Sequence, residues 1–231
     1  MASSTPPSFR RLSDGSVTRD EAAALAVTLR IDPMAKVVTG MLDDLNGDES
    51  DFLVHDGPLH VDGNLAVSSL GAAVLFVLGD LTVTGAYSDT DDPQTITQVT
   101  GNLRAHDVVT AGFLEVHGDV LVQNAFFGDY NDCNAYVGGS LTCRLFYPEE
   151  HFMTVKGDLR AEVAFGLVKH RVDGGGIRPE ALDLDDPRLL EHFDRELLNV
   201  EEADGELIID GFSKYQEVRK RVLTGKPLKT P

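Results

Sequence analysis

Between Leu114 and Val122 the chain alternates. Leu114, Val116, Val120 and Val122 are apolar, Glu115, His117 and Asp119 between them are polar, and Leu121 breaks the pattern. A period of two belongs to a half-buried strand, whose successive side chains point to opposite faces. The same alternation returns in six units: "VDGNLAV" from Val61, "VLGDLTV" from Val77, "VTGNLRA" from Val99, "VHGDVLV" from Val116, "VGGSLTC" from Val137 and "VKGDLRA" from Val155. Each reads Val, any residue, Gly, then Asn, Asp or Ser, then Leu or Val, any residue, and Val, Ala or Cys. Their glycines, Gly63, Gly79, Gly101, Gly118, Gly139 and Gly157, are spaced by 16, 22, 17, 21 and 18 residues. A period near twenty, kept while lengths vary, marks a solenoid.

Three or four residues before the Val another segment tends to be apolar, as in "AVLF" and "FLEV". Seven residues past the glycines stand Leu70, Ala86, Val108, Ala125, Phe146 and Ala164, which predicts a second inward strand per coil. The fold class expected is mainly β: a parallel β-helix of about six coils over residues 53–170, or seven if "VHDGPLHV" at Val54 forms an incomplete first turn. A left-handed helix of hexapeptides is disfavoured, since Val61 and Val67 are followed by Ala73 and then Gly79; right-handed winding is expected. The repeated glycine marks a corner, where lacking a Cβ permits positive φ or close approach of the neighbouring coil. The following Asn64, Asp80, Asn102, Asp119, Ser140 and Asp158 are expected to bond their own turn backbone rather than a metal.

Open strand edges polymerise, so the flanks are expected to cover the ends. Residues 1–52 form a predicted N-terminal helical flank, with one or two short helices over 19–45 broken at Pro33 and Asp20 as cap or first-turn acid. Residues 171–231 form a predicted helical C-terminal cap. There "PRLLEHFDRELLNV" opens at Pro187, and "SKYQEVRKRVLTG" runs from a capping Ser213 to Gly225. Between them "RVDGGGIRPEALDLDDP" reads as a connection, with "VDGGG" as an alternative last coil.

Charge narrows the partners. Twenty basic against 38 acidic residues leave −18, which repels nucleic acid and anionic lipid and favours a basic protein partner. The segment Phe212–Pro231 carries six Lys or Arg against Glu217 alone, +5, so the remainder is −23. No run of eighteen apolar residues suggests a membrane span, and the first residues lack a secretory signal's apolar core; a cytoplasmic location is expected. Cys133 and Cys143 suit neither a disulfide framework nor a zinc site. Cys143 falls on an inward position.

The two longest spacings, after Gly79 and Gly118, enclose "GAYSDTDDPQ" from Gly85 and "AFFGDYNDCN" from Ala125, expected to project from one face. Tyr87, Asp89, Asp91 and Asp92 from the first, with Phe126, Phe127, Asp129, Tyr130 and Asp132 from the second, form a predicted acidic and aromatic partner-binding patch. "DYNDCN" lacks the glycine and distal Glu of an EF-hand loop, so no metal or other cofactor is expected. Asp80, Asp119 and Asp158 recur as a hydrolase's acids would, but they alternate with Asn and Ser at a corner, and no catalytic residue is assigned. His151, after "YPEE", is expected on a surface turn.

The units "VLGDLTV", "VTGNLRA" and "VHGDVLV" resemble those of bactofilin-like, polymer-forming repeat proteins over roughly residues 53–170. That resemblance implies an uninterrupted right-handed β-helix that self-assembles. Irregular coil lengths, long acidic loops and substantial flanks depart from it, and capped ends block stacking. In overall character, and over "FFGDYND...VGGSLTCRLF", the chain also resembles small acidic immunity proteins of bacterial polymorphic-toxin loci, which implies neutralisation of a basic effector. The leading expectation is a non-catalytic protein-binding module, most concretely an immunity-type inhibitor that occludes a basic toxin. A self-assembling scaffold and a glycan-active β-helix enzyme are the alternatives, and homo-oligomerisation stays open.

Overall fold

The computed structural model describes residues 8–28, 36–40, 51–129, 132–203 and 205–230. One sheet of eight strands begins with Arg10–Arg11, antiparallel to Asp51–Asp56. It continues in parallel through Ala72–Leu78, Ile96–Val99, Phe113–Val116, Asn134–Val137, Phe152–Val155 and Val172–Asp173. The second sheet stacks Leu59–Val61, Leu81–Ser88, Leu103–Thr110, Val120–Val122 with Ala125–Gly128, Leu141–Tyr147, Leu159–Phe165 and Ala181–Leu182, also in parallel. The chain passes from one sheet to the other and back, making a parallel β-solenoid of about six turns.

Stacking like on like makes the core. Val77, Val99, Val116, Val137 and Val155 lie one above another, as do Leu81, Leu103, Val120, Leu141 and Leu159, all buried within one cluster. Each such side chain removed from water contributes about 1.5–3 kcal/mol before conformational entropy is charged against it. Cys143 is a small core residue here, as its inward position predicts, and burial pushes its thiol up to about 12.

The polar residue after each glycine bonds the next coil, not its own turn. Asp80 Oδ1 accepts from the Asn102 backbone N–H at 2.8 Å, Asn102 Oδ1 from Asp119 at 2.8 Å, and Asp119 Oδ1 from Ser140 at 2.7 Å. Ser140 Oγ accepts from Asp158 at 3.1 Å and Asp158 Oδ1 from Ile177 at 3.0 Å. A Cβ on Gly101, Gly118 or Gly139 would overlap that side-chain oxygen of the preceding coil. Close approach, not positive φ, fixes glycine at these three corners.

The first unit is out of register. His55 pairs with Val77 and Leu59 with Leu81, so Gly57 of "VHDGPLHV" is the residue beneath Gly79. Gly63 of "VDGNLAV" instead meets Gly85 at the second corner, where the Gly85 N–H donates to the Gly63 carbonyl at 2.8 Å and Asn64 Oδ1 accepts from Ala86 at 2.9 Å. The same Gly-Asn chemistry serves a different bend. At the far end "VDGGG" enters the last coil: Met153 pairs with Val172 and Thr154 with Asp173. There the Arg178 guanidinium donates to the carbonyls of Val155 at 2.5 Å and Gly157 at 3.0 Å. In the coils above, Gly138 and Gly157 N–H groups bond the matching carbonyls of Val116 and Gly139. An arginine thus substitutes for backbone where the ladder stops.

The flanks pack mainly against the sides. Helix α1, Arg19–Thr28, has Asp20 and Glu21 in its first turn, and Thr18 Oγ1 rather than Asp20 accepts the Glu21 N–H at 3.1 Å. Helix α2 covers 36–40; the expected break at Pro33 lies outside the described residues. Val17, Ala22, Ala26 and Val38 bury Phe52, Val54, Val74 and Phe76 on the outer face of the first sheet. A short helix α3, Val168–Arg171, turns the chain into the last coil. The C-terminal residues form a lobe over the outer face of the second sheet, where Phe127, Tyr147 and Phe165 pack with Phe193, Phe212 and Tyr215. The helix expected from Pro187 is two 3₁₀ turns, Pro187–Glu191 and Arg195–Leu197, followed by a hairpin of Leu198–Ala203 and Glu206–Phe212. Helix α4, Tyr215–Leu223, follows, and Ser213 donates to the Glu196 carbonyl instead of capping it.

Candidate functional site

The corner that returns each coil from the second sheet to the first carries both long inserts. The two inserts meet in one contact: Gln94 Nε2 donates to Cys133 Sγ at 3.3 Å, tying the first insert to the second across the short Ala111–Gly112 bend. The first insert is a tight loop. Thr90 N–H bonds Thr95 Oγ1 at 2.9 Å, Thr95 N–H returns to the Thr90 carbonyl at 2.9 Å, and Thr90 Oγ1 donates to the Pro93 carbonyl at 2.8 Å. Asp91 and Asp92 stand exposed at its tip, and Asp132 is exposed on the second insert.

Four members of the predicted patch are buried. Tyr87 and Phe126 point into the solenoid, because the second corner gains one residue in their coils and pairs Tyr87 with Val108 and Val108 with Phe126. Phe127 faces outward but lies under the C-terminal lobe. Asp89 is wholly buried: its Oδ1 accepts from the Ala111 and Gly112 N–H groups at 2.6 and 2.7 Å, and its Oδ2 from Tyr87 at 2.9 Å and Thr110 at 3.0 Å. Burial raises its carboxyl above the usual range, opposed by those four donors. Asp89 therefore shapes the corner from within. Tyr130 lies outside the described residues. Among the described members of the patch, those left at the surface are acidic.

Asp129 is half-buried and pairs with Arg219 of α4 at 2.8 Å, and Tyr215 donates to the Gly128 carbonyl at 3.0 Å. Part of the basic tail is occupied within its own lobe: Arg221 reaches Asp194 and Glu196, each at 2.7 Å, and Lys229 donates to the Leu190 carbonyl at 2.9 Å, while Lys214 and Lys226 are exposed. One coil below the second insert, Glu149 adopts φ +48° beside Glu150. Tyr147, Leu167 and Leu184 wall a cavity of about 410 Å³ with these two carboxylates at its rim. His151 follows them, and the surface turn expected for it is corrected: the ring is fully buried, and burial holds its imidazole down to about 4.

Two features escaped sequence reasoning. Glu115, on the outer face of the first sheet, is buried with Gln98 Nε2 on Oε2 at 2.8 Å and His117 Nε2 beside Oε1 at 2.8 Å. Phe152 is exposed, with Arg171 stacked 4.5 Å from its ring centre. Among the described residues no group of three His, Cys, Asp or Glu side chains is arranged to hold a metal ion, and no helix is long and apolar enough to cross a membrane. Fold and corner define a parallel β-solenoid repeat protein. Comparison with protein-family models, curated proteins and solved structures finds no match.

Proposed function

We propose that the chain is a non-catalytic, cytoplasmic binding module whose acidic, insert-bearing corner takes a basic protein partner, most concretely as an immunity-type inhibitor that occludes a cationic toxin. The observation that carries this reading is the convergence of both inserts on one corner, joined through Gln94 and Cys133, with Asp91, Asp92 and Asp132 exposed. Arg219 on Asp129 is an intramolecular sample of the same chemistry. Exposed carboxylates at one corner hasten encounter with a cationic surface, whereas slow release needs apolar contact. With Phe126 and Phe127 buried, the apolar contribution falls to the cavity walled by Tyr147, Leu167 and Leu184, whose acidic rim suits an inserted Lys or Arg side chain.

The alternatives draw less support. Arg10–Arg11 closes one sheet edge and Arg178 occupies carbonyls at the other end, which opposes bactofilin-like stacking. Asp80, Asp119 and Asp158 are committed to the inter-coil ladder, which leaves a glycan-active enzyme without its acids. Affinity capture at about 0.1 M ionic strength compares the wild-type chain with the variant Asp91→Lys/Asp92→Lys/Asp132→Lys. The expected result is a basic protein held by wild type and lost from the variant. Equal retention puts the interface elsewhere, and a captured acidic partner contradicts the charge argument.

A further inference from the structure

The outer face of the first sheet is divided. Its early strands lie under the N-terminal flank, where Phe52, Val74, Phe76, Ile96 and Phe113 are buried. Beyond them the face opens, and Phe152 is 53% exposed. Here a cavity of about 430 Å³ is lined by Asn134, Phe152 and Thr154 from the sheet, Lys169 and Arg171 from α3, and Asp173 from the last coil. That volume lies within the range of small-molecule sites, about 300–1,000 Å³.

Its chemistry runs against the rest of the molecule. In a chain of net charge −18, two cations line this cavity against one carboxylate. Arg171 is held flat by stacking on Phe152 at 4.5 Å, which aims a planar fork of donors without consuming them. Its contact with Glu150 Oε2 is long, 3.5 Å, and its Nε is buried without an acceptor. Asn134 Oδ1 is likewise buried without a donor. Neither atom has surface open to the cavity, so what a ligand meets there is Arg171, Lys169, Thr154 and Asp173. The site therefore asks for an anion opposite Arg171 and Lys169, and for hydroxyl groups opposite Thr154 and Asp173. A bare phosphate meets the first demand and is repelled by the second.

We propose that this cavity binds a monosaccharide-sized, polyhydroxylated carboxylic acid, a sugar acid, with its carboxylate on Arg171 and Lys169 and its hydroxyls on Thr154 and Asp173. The site adjoins the acidic corner, since Asn134 closes the second insert and Arg171 contacts Glu150, but its ligand is a small molecule and not the protein partner. Isothermal titration calorimetry of the full chain tests it with glucuronate, glucose and inorganic phosphate. Glucuronate is expected to saturate with a Kd of about 1 mM or below, and glucose and phosphate to bind at least about ten-fold more weakly. Arg171→Met is expected to weaken glucuronate by about ten-fold or more with an unchanged thermal transition; if that variant unfolds, Lys169→Met on the exposed side of α3 serves in its place. No saturation by glucuronate up to about 10 mM, wild-type affinity in the folded variant, or phosphate bound as tightly as glucuronate overturns the proposal.

Discussion

At Gly118 the space for a Cβ is already occupied by Asn102 Oδ1, with the Gly101 carbonyl also close, at 2.8 Å. Gly118→Ala is expected to cost about 2–4 kcal/mol, and Asn102→Ala about 1–2 kcal/mol through the lost bond to the Asp119 N–H. Because one substitution partly relieves the other, the double variant should fall short of their sum by about 1 kcal/mol in urea denaturation. Full additivity would mean that backbone crowding alone requires the glycine. His151 supplies a second residue-scale test. Its folded imidazole titrates near 4, below the ordinary 6.5, because burial disfavours the charged form. As pH falls below about 6.5 the unfolded chain takes the proton first, so this group's effect is absent at neutral pH and drains up to about 3 kcal/mol by pH 4. His151→Leu should flatten stability between about pH 6.5 and 5; an unchanged slope would assign the titration to other groups. Burial of this kind was not legible, since "YPEEH" has the composition of a turn and only the fold reveals what covers it. The inward Val and Leu ladders were legible, because identical residues at identical positions leave a periodic trace.

Single elements show where local patterns mislead. "VDGNLAV" matches the repeat and yet lies one corner further round the coil, because Gly63 and Asn64 perform at Gly85 what Asp80 performs at Gly101. The strand Leu81–Ser88 has a register shift between Val83 and Ala86, which turns Tyr87 inward where spacing alone pointed to Ala86. In the C-terminal lobe, "NVEEADGELII" carries the Asp-Gly signal of a hairpin with Gly205 at φ +81°, while "PRLLEHFDRELL" has spacing that also suits a helix. Arg178 is the element-scale stop. Arg178→Met leaves the Val155 and Gly157 carbonyls without these donors and should cost about 2 kcal/mol. Hydrogen exchange of residues 174–182 should accelerate by at least about ten-fold, with Leu103–Thr110 unchanged. Uniform acceleration throughout would show that the last coil does not open separately.

For the molecule as a whole, charge and packing answer different questions. The net charge of −18 restricts partners, but Arg221 and Lys229 of the basic tail are engaged within the C-terminal lobe, and Arg219 reaches Asp129 on the solenoid. Composition could not reveal that division, nor that the flanks lie along the sheets rather than chiefly over the ends. The buried ladders and the meeting of the two inserts both depend on how the coils are stacked, and an engineered cysteine pair reads that stacking directly. His60 stands beside Thr82 in the register observed, whereas alignment on Gly63 and Gly79 would bring Ala66 there. Neighbouring strands about 4.8 Å apart lie within reach of a disulfide. Under mild oxidation His60→Cys/Thr82→Cys is predicted to cross-link rapidly and Ala66→Cys/Thr82→Cys to stay reduced; cross-linking of the second pair but not the first would contradict the stacking.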